Sequence, residues 1–154
     1  MFQVFTDGGS HGNPGPSAWA MIVYDEYGER KGSKSGTFNC ATNNIAEMTA
    51  ILEALKWANK HKVKIEISTD SDYSMQGCQS WMHGWAKNGW INSKKEVVKN
   101  KELWQELYSA YNEYTIIHGH PVTMIKVKGH SGNPQNDEVD ALVQTRITEL
   151  EMAL

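Results

Sequence analysis

The spacing of apolar residues changes part-way along this 154-residue chain, and that change most constrains the fold. In the first part, apolar stretches at 3–7 and 18–24 are typical of β-strands, and a hairpin turn at 26–29 leads into a third strand that ends near residue 37. Beyond them, apolar side chains recur every three to four residues, which predicts a helix over about 43–60. The sequence therefore predicts three consecutive antiparallel strands followed by a helix.

The rest of the chain alternates between the two patterns. The spacing predicts a strand at 63–68, short helical stretches across 73–86, a helix at 101–115, a strand at 121–128 and a last helix. The last helix carries an apolar stripe formed by Val139, Leu142, Val143, Ile147 and Leu150. Hairpins followed by strand–helix alternation are typical of an α/β domain with a five-stranded mixed sheet flanked by helices. We expect residues 1–154 to form a single domain, because no linker or repeat interrupts them.

The sequence lacks the features of several classes of protein. No stretch approaches the roughly 18 consecutive apolar residues of a membrane span. The first residues lack the basic and apolar segments of a signal peptide. The two cysteines, Cys40 and Cys78, are too few for a disulfide framework and lack the spacing of a metal site. We therefore expect a cytoplasmic monomer that has no membrane partner.

The charge is unevenly distributed, although the net charge is only −3. Between residues 87 and 101 there are five lysines and one acid, whereas residues 135–154 hold five acids and one base. A run of lysines is usually a solvated face. Here tryptophans lie within or beside it, and aromatic rings among lysines can form a groove for a nucleic-acid strand. These residues are Lys87, Lys94, Lys95, Lys99 and Lys101, with Trp81, Trp85, Trp90 and Trp104.

Four carboxylates are candidates for chemistry. In open α/β sheets, ligands collect beyond the carboxyl ends of strands, and both Asp7 and Asp70 stand where a predicted strand ends. Each acid also has a purely structural interpretation. Asp7 could form a turn before Gly8, Asp70 could cap the next helix, Glu47 could complete a capping box, and Asp140 could be an ordinary exposed charge.

Two arguments favour a shared site for these acids. At about 100° per residue, Asp140 lies roughly 90° from the centre of the apolar stripe of its helix, whereas Asp137 lies nearly opposite the stripe. Converging carboxylates raise one another's pKa unless cations neutralise them. Oxygen ligands suit Mg²⁺ or Mn²⁺, and several acids can bridge two such ions. The pattern therefore predicts hydrolysis of a phosphodiester.

His130 lies in a glycine-flanked loop, 128–134, just before the helix that carries Asp140. A single histidine is usually a surface residue. Its place beside the predicted metal site suits proton transfer to the leaving group or help in product release.

Four motifs, in this order and spacing, resemble type 1 ribonuclease H along nearly the whole chain. They are Thr6-Asp7-Gly8-Gly9, the segment 42–47, Ser68-Thr69-Asp70-Ser71 and the segment 128–132, with Asn136 to Asp140 after them. The resemblance implies a ribonuclease H-like fold in which the first and fourth strands are central neighbours. It implies an endonuclease that cuts the RNA strand of RNA–DNA hybrids and leaves 5′-phosphate and 3′-hydroxyl ends. No separate hybrid-binding domain is expected.

The resemblance also implies roles for individual residues. Two Mg²⁺ ions, or Mn²⁺ as a substitute, would be held by Asp7 as the bridging ligand, by Asp140 on the ion that activates water, and by Glu47 and Asp70 on the other. The substrate-binding residues are of three kinds: those reading RNA 2′-hydroxyls in the minor groove, those holding a DNA phosphate, and those lining the DNA channel. The residues reading 2′-hydroxyls are Asn13, Asn43 and Asn44. Those holding the DNA phosphate are Thr42 and Asn100, and those lining the DNA channel are Tyr73, Trp81 and Ser93. Thr42, Asn43 and Asn44 could instead serve only as helix-start residues, and Trp81 as core.

The chain departs from the family pattern at several positions. Gly9 stands where Ser or Cys is common, Cys40 where many members have arginine, and Asp72 where a neutral side chain is frequent. Ala86 and Asn88 replace basic residues. We therefore expect modest substrate affinity with marked salt dependence. The alternatives are another nuclease of the same fold, such as a Holliday-junction resolvase, and a catalytically silent module that binds hybrids.

Overall fold

The computed structural model describes residues 1–129 and 132–154. In chain order, its elements are β1 (Phe2–Ser10), β2 (Gly15–Tyr24), β3 (Arg30–Ala41), α1 (Asn43–His61), β4 (Ile65–Thr69), α2 (Asp72–Gln76), a π-helical turn (Gly77–Trp81), α3 (Met82–Lys87), α4 (Lys101–His118), β5 (Thr123–Lys126) and α5 (Pro134–Ala153). Within the described residues, no helix is both long and apolar enough to cross a membrane.

The five strands form one mixed sheet in the order β3-β2-β1-β4-β5. The first three pair antiparallel, while β4 pairs parallel to both β1 and β5. This arrangement confirms the predicted five-stranded mixed sheet, and it confirms β1 and β4 as central neighbours.

Some of the predicted strand ends are wrong. The structure extends β1 to Ser10, so Asp7 lies within the strand and pairs with Ala20 of β2. The reason is that β2 continues to supply antiparallel partners after the parallel pairing with β4 has stopped, at Phe5 opposite Ser68. On its β4 side, Asp7 therefore lies beyond the last paired residue. In addition, β2 begins at Gly15, β3 runs on to Ala41, β4 spans Ile65–Thr69, and β5 is shorter than predicted.

Helices cover both faces of the sheet. On one face, α1 and α4 enclose large buried side chains that include Trp104, Tyr114, Met48, Ile51 and Leu55. On the other face, α5 packs Val139, Val143 and Ile147 against Phe5, Ala18, Ala20, Ile22 and Tyr24. Burying each large apolar side chain contributes about 1.5–3 kcal/mol. These two cores fix β1 and β4 at the centre of the molecule, and so fix the carboxylates at their ends.

Candidate active site

Three carboxylates converge at one edge of the sheet. Asp7 comes from β1, Glu47 from the first turns of α1, and Asp70 follows β4 directly. One oxygen of each lies within 4.8 Å of the others. Asp7 and Glu47 are buried, and Asp70 is half-buried. We call these three residues the acidic cluster.

The approach of α1 to β1 depends on Gly8. A Cβ atom at this position would overlap the backbone of Ala46 and Glu47. The helix itself begins where the Thr42 hydroxyl accepts a hydrogen bond from the Ile45 amide at 3.2 Å. A glycine next to Asp7 therefore lets the first turns of α1 pack directly on the strand, which brings the Glu47 carboxyl to Asp7.

Burial and like charge together disfavour ionisation of the cluster. Burial is the main cause that raises the pKa of Asp7 to about 8, and the negative charge of Asp70 is the second. Burial also raises the pKa of Glu47 well above its usual range, with further contributions from the charges of Asp7 and Asp70. A hydrogen bond between the two side chains lowers the pKa of Asp7 and raises that of Glu47. Without a cation, the fold therefore favours the protonated form of both Asp7 and Glu47 over the ionised form.

The cluster fits a divalent cation. Glu47 Oε2 is buried and has no hydrogen-bond partner. A buried oxygen without a partner is costly, and a cation would satisfy it. The donor set is made of carboxylate oxygens only, which is the chemistry that hard ions such as Mg²⁺ prefer.

The two aspartates of α5 differ in exposure, as their positions around the helix predict. Asp137 is exposed, whereas Asp140 is half-buried. Asp140 stands outside the group of oxygens that lie within 4.8 Å of one another, but its charge helps to raise the pKa of Asp7. Asp140 is therefore an electrostatic neighbour of the acidic cluster, and Asp137 faces solvent.

The predicted proton-transfer residue, His130, lies outside the described residues. Gly129, just before it, passes against the cluster: a Cβ atom there would lie 3.0 Å from Asp70 Oδ2. The backbone at 129 therefore runs beside the Asp70 carboxylate.

The residues predicted to read the RNA strand gather at the start of α1. Asn43 and Asn44 are exposed, as is Asn13 in the β1–β2 hairpin. The side-chain oxygen of Asn13 accepts a hydrogen bond from the Asn43 amide at 2.9 Å, which joins the hairpin to the helix. Thr42 is half-buried because its hydroxyl caps the helix. The structure thus brings Asn13 to Thr42, Asn43 and Asn44, which stand three to five residues before Glu47.

The residues predicted to line the DNA channel form an aromatic surface. Tyr73 packs its ring against Trp81, with centroids 5.7 Å apart, and Trp81 is 37% exposed. Ser93 and Trp81 share a groove of about 450 Å³, and Tyr73 and Trp81 share another of about 330 Å³. We call residues 81–101 the tryptophan–lysine surface, because they hold Trp81 and the five lysines.

Asn100 lies at the start of α4 in a left-handed conformation, with φ of 59°. It lines a groove of about 490 Å³ together with Ile45 of α1. The groove places Asn100 across from the segment that contains Thr42, and exposed Cys40 precedes that segment. Of the two residues predicted to hold a phosphate, Asn100 lines this groove, and Thr42 lies three residues before its other wall at Ile45.

Sequence reasoning missed Asn92 and Lys126. The Asn92 side chain accepts hydrogen bonds from the amides of Lys94 and Glu96, and it lines both grooves beside Trp81. Lys126 donates to the Asp70 backbone carbonyl at 2.7 Å. The dipeptide Asn92-Ser93 is a recognisable turn signal, because an asparagine side chain can accept a hydrogen bond from the amide two residues on. No local pattern signals the Lys126 contact, because it joins residues 56 positions apart.

Comparisons with known proteins agree with this geometry. A sequence model of the RNase H family matches residues 1–148. The ribonuclease H of Parvibaculum lavamentivorans is 42% identical over 144 residues, which is 94% of this chain and 90% of that protein. The ribonuclease H of Legionella pneumophila is 41% identical over 148 residues, covering 96% of this chain and 97% of its own.

Solved structures show the same fold. LC9-RNase H1, described as a type 1 RNase H with the type 2 active-site motif, superposes with a TM-score of 0.77 at 28% identity, over 96% of this chain and 72% of that one. LC11-RNase H1 in complex with an RNA/DNA hybrid superposes with a TM-score of 0.70 at 21% identity, over 97% and 99% of the two chains.

Proposed function

Because this chain belongs to the ribonuclease H family, we propose that it is an endonuclease that hydrolyses the RNA strand of RNA–DNA hybrids. The observation that carries the proposal is the acidic cluster, in which oxygens of Asp7, Glu47 and Asp70 lie within 4.8 Å of one another. A buried group of carboxylates is destabilising in a folded protein unless a cation joins it. The relatives named above are ribonucleases H along almost their whole length, which fits the same activity.

Two Mg²⁺ ions, with Mn²⁺ as a substitute, are the proposed cofactors. Asp7, Glu47, Asp70 and Asp140 would hold them. When bound, such ions activate the attacking water and neutralise charge on the leaving oxygen, which yields 5′-phosphate and 3′-hydroxyl ends. The partnerless Oε2 of Glu47 and the oxygen-only donor set support this assignment.

The protein's own side chains have three tasks in this reaction. Asp7 and Glu47, fixed by the packing of α1 on Gly8, keep the carboxylate oxygens in place before substrate arrives. Asp140, held on α5, adds negative charge beside Asp7. His130 would pass a proton to the 3′ leaving oxygen or assist product release, because the chain enters it directly from the segment beside Asp70.

The hybrid would cross the acidic cluster with its two strands on different surfaces. Asn13, Asn43 and Asn44 present amide groups that can bond RNA 2′-hydroxyls. A DNA phosphate would sit between Thr42 and Asn100, in the groove that links α1 to α4. The DNA strand would then pass over Tyr73, Trp81 and Ser93, where aromatic rings can pack against sugars or bases. We propose that the chain works in this way as a cytoplasmic, single-domain monomer.

The test compares labelled RNA–DNA hybrid, RNA duplex and DNA duplex, each with Mg²⁺, Mn²⁺ or EDTA. We expect cleavage of the RNA strand of the hybrid only, dependent on metal and lost in Asp70→Asn. Asp72→Asn, a neighbouring carboxylate outside the cluster, is the matched control and is expected to keep activity. Robust cleavage by Asp70→Asn would refute the site. Cleavage of branched DNA in place of hybrid would favour a junction resolvase, and hybrid binding without cleavage would favour a silent binding module.

A further inference from the structure

Lys126 makes three contacts at the edge of the acidic cluster. Its ammonium donates to the Asp70 carbonyl oxygen at 2.7 Å and to the Val127 carbonyl oxygen at 3.4 Å. It also lies 3.8 Å from Asp72 Oδ1. The lysine is the last residue of β5 and pairs with Thr69 of β4. The Lys126 side chain therefore reaches from the end of β5 to Asp70 and Asp72, the residues on either side of Ser71.

The Asp70 carbonyl lies just past the end of the sheet. The last backbone contact between the two strand ends runs from the Val127 amide to the Thr69 carbonyl, at 2.9 Å. Asp70 is one residue farther along, and there Lys126 supplies a charged donor in place of a strand partner. Charged donors make stronger hydrogen bonds than neutral ones. The backbone of a proposed metal ligand is thus held by a side chain of the neighbouring strand.

We infer that Lys126 is a positioning residue for Asp70, fixing the direction in which that carboxylate enters the acidic cluster. The inference rests on the proposed function, because it assigns Lys126 to the same metal site. It also accounts for Asp72, the additional acid next to the cluster. Asp72 is 74% exposed and faces the Lys126 ammonium, so the lysine offsets its charge as well as holding the Asp70 backbone.

The charge of Lys126 and its positioning role predict opposite effects on the affinity for a divalent ion when the lysine is removed. Loss of a cation beside an acidic site strengthens the attraction for a divalent ion. Loss of an outer group that orients a ligand weakens metal binding, typically by about 10- to 100-fold. The Asp72 pair is largely solvated, so its electrostatic share is small. We therefore expect the positioning effect to exceed the charge effect.

The experiment is a calorimetric titration with Mn²⁺, in the absence of nucleic acid and well below the unfolding temperature of each variant. Lys126→Met is expected to bind Mn²⁺ about tenfold more weakly. Lys126→Arg should restore binding, since its guanidinium can still donate to the carbonyl. Lys64→Met, an exposed lysine just before β4, and Asp72→Asn should bind nearly as the unchanged protein does.

Hybrid cleavage gives the second readout. Lys126→Met should lower kcat at limiting Mn²⁺, recover at excess Mn²⁺, and leave KM for the hybrid unchanged. If Lys126→Met binds Mn²⁺ as tightly as the unchanged protein or more tightly, the positioning role is wrong while the proposed function stands. If Arg fails to restore binding, the inference is also wrong. If the unchanged protein neither binds Mn²⁺ nor cuts the hybrid, the proposed function itself fails.

Discussion

The acidic cluster and the tryptophan–lysine surface lie in one domain but are built in opposite ways. The cluster sits on the two central strands, with Asp7 and Glu47 buried and held by the close packing of α1 at Gly8. The tryptophan–lysine surface begins at the last residue of the π-helical turn and includes the short helix α3, and about half of its residues are exposed. Its only strand-like contact is an isolated bridge between Ile91 and Val97.

The two regions therefore contribute different free energies, one from buried charge and the other from exposed binding contacts. In the cluster, burial and like charge raise the pKa of both Asp7 and Glu47, so the fold holds an arrangement that is unfavourable without a cation. On the exposed surface, each lysine or ring contributes a small amount to binding, and salt screens the charges. Substitutions in the cluster should therefore change the rate, and those on the surface should change affinity and its salt dependence.

The largest effect is expected from Asp140 of α5. Asp140→Asn should lower kcat by about 10³-fold, because several kcal/mol of transition-state stabilisation depend on the ions and each 1.4 kcal/mol is a factor of ten. Asp137→Asn, exposed on the same helix, is the matched control and should leave kcat unchanged. Steady-state cleavage of a labelled hybrid measures both. Equal rates for the two variants would remove Asp140 from the site.

The next effect is a loss of stability with rising pH in EDTA. The pKa of Asp7 is about 8 in the fold against an ordinary 3.8. A raised pKa means that the fold favours the protonated form. Its contribution to stability is therefore complete below about pH 4 and is lost as the pH rises towards 8. The free energy of unfolding should accordingly fall by a few kcal/mol across this window.

Denaturant unfolding in EDTA at pH 5 and pH 8 measures that change. Asp7→Asn removes one of the two buried carboxyl groups whose pKa is raised, and it should reduce the pH dependence while Glu47 keeps part of it. Mg²⁺ should stabilise the unchanged protein more at pH 8 than at pH 5, since the ion binds the ionised form. An unaltered pH dependence in Asp7→Asn would show that ionisation of Asp7 is not its cause.

A smaller effect is expected on the tryptophan–lysine surface. Trp81→Ala should raise KM for the hybrid by about 5- to 150-fold, which corresponds to the roughly 1–3 kcal/mol of one ring packed on a base. It should leave kcat unchanged, because Trp81 does not contact the cluster oxygens. Tyr27→Ala, an 85% exposed ring at the β2–β3 turn, is the control and should keep the original KM. A lower kcat at saturating hybrid would mean that the two regions do not act independently.

The order of the elements could be predicted from the sequence because apolar spacing directly reports which faces are buried. The same spacing correctly placed Asp70 where β4 ends, but it ended β1 at Asp7, whereas the strand runs on to Ser10. The length of β1 could not be predicted, because it depends on β2 continuing to pair as far as Ser17 opposite Ser10. Strand ends are set by the neighbouring strand as much as by local residues.

The place of Glu47 shows the same limit within the site. Its position three residues after Asn44 is equally typical of a helix cap. What brings it to Asp7 is the packing of α1 on Gly8, a contact between residues about forty positions apart. Lys126 is a stronger case, since nothing near it in sequence indicates that it would bond Asp70. Long-range packing completes a site that local patterns can only suggest.

The smallest effect is expected from Lys94 and Lys95, which we expect to bind phosphates of the hybrid away from the acidic cluster. Lys94→Ala with Lys95→Ala should leave kcat unchanged and weaken hybrid binding most at low salt. Each lost phosphate contact lowers the slope of log affinity against log salt by about one, so the slope should fall by up to about two. Lys56→Ala with Lys60→Ala, on the exposed face of α1, changes net charge equally and is the control. If both pairs lower the slope equally, the hybrid responds to total charge, and the tryptophan–lysine surface has no special part in binding.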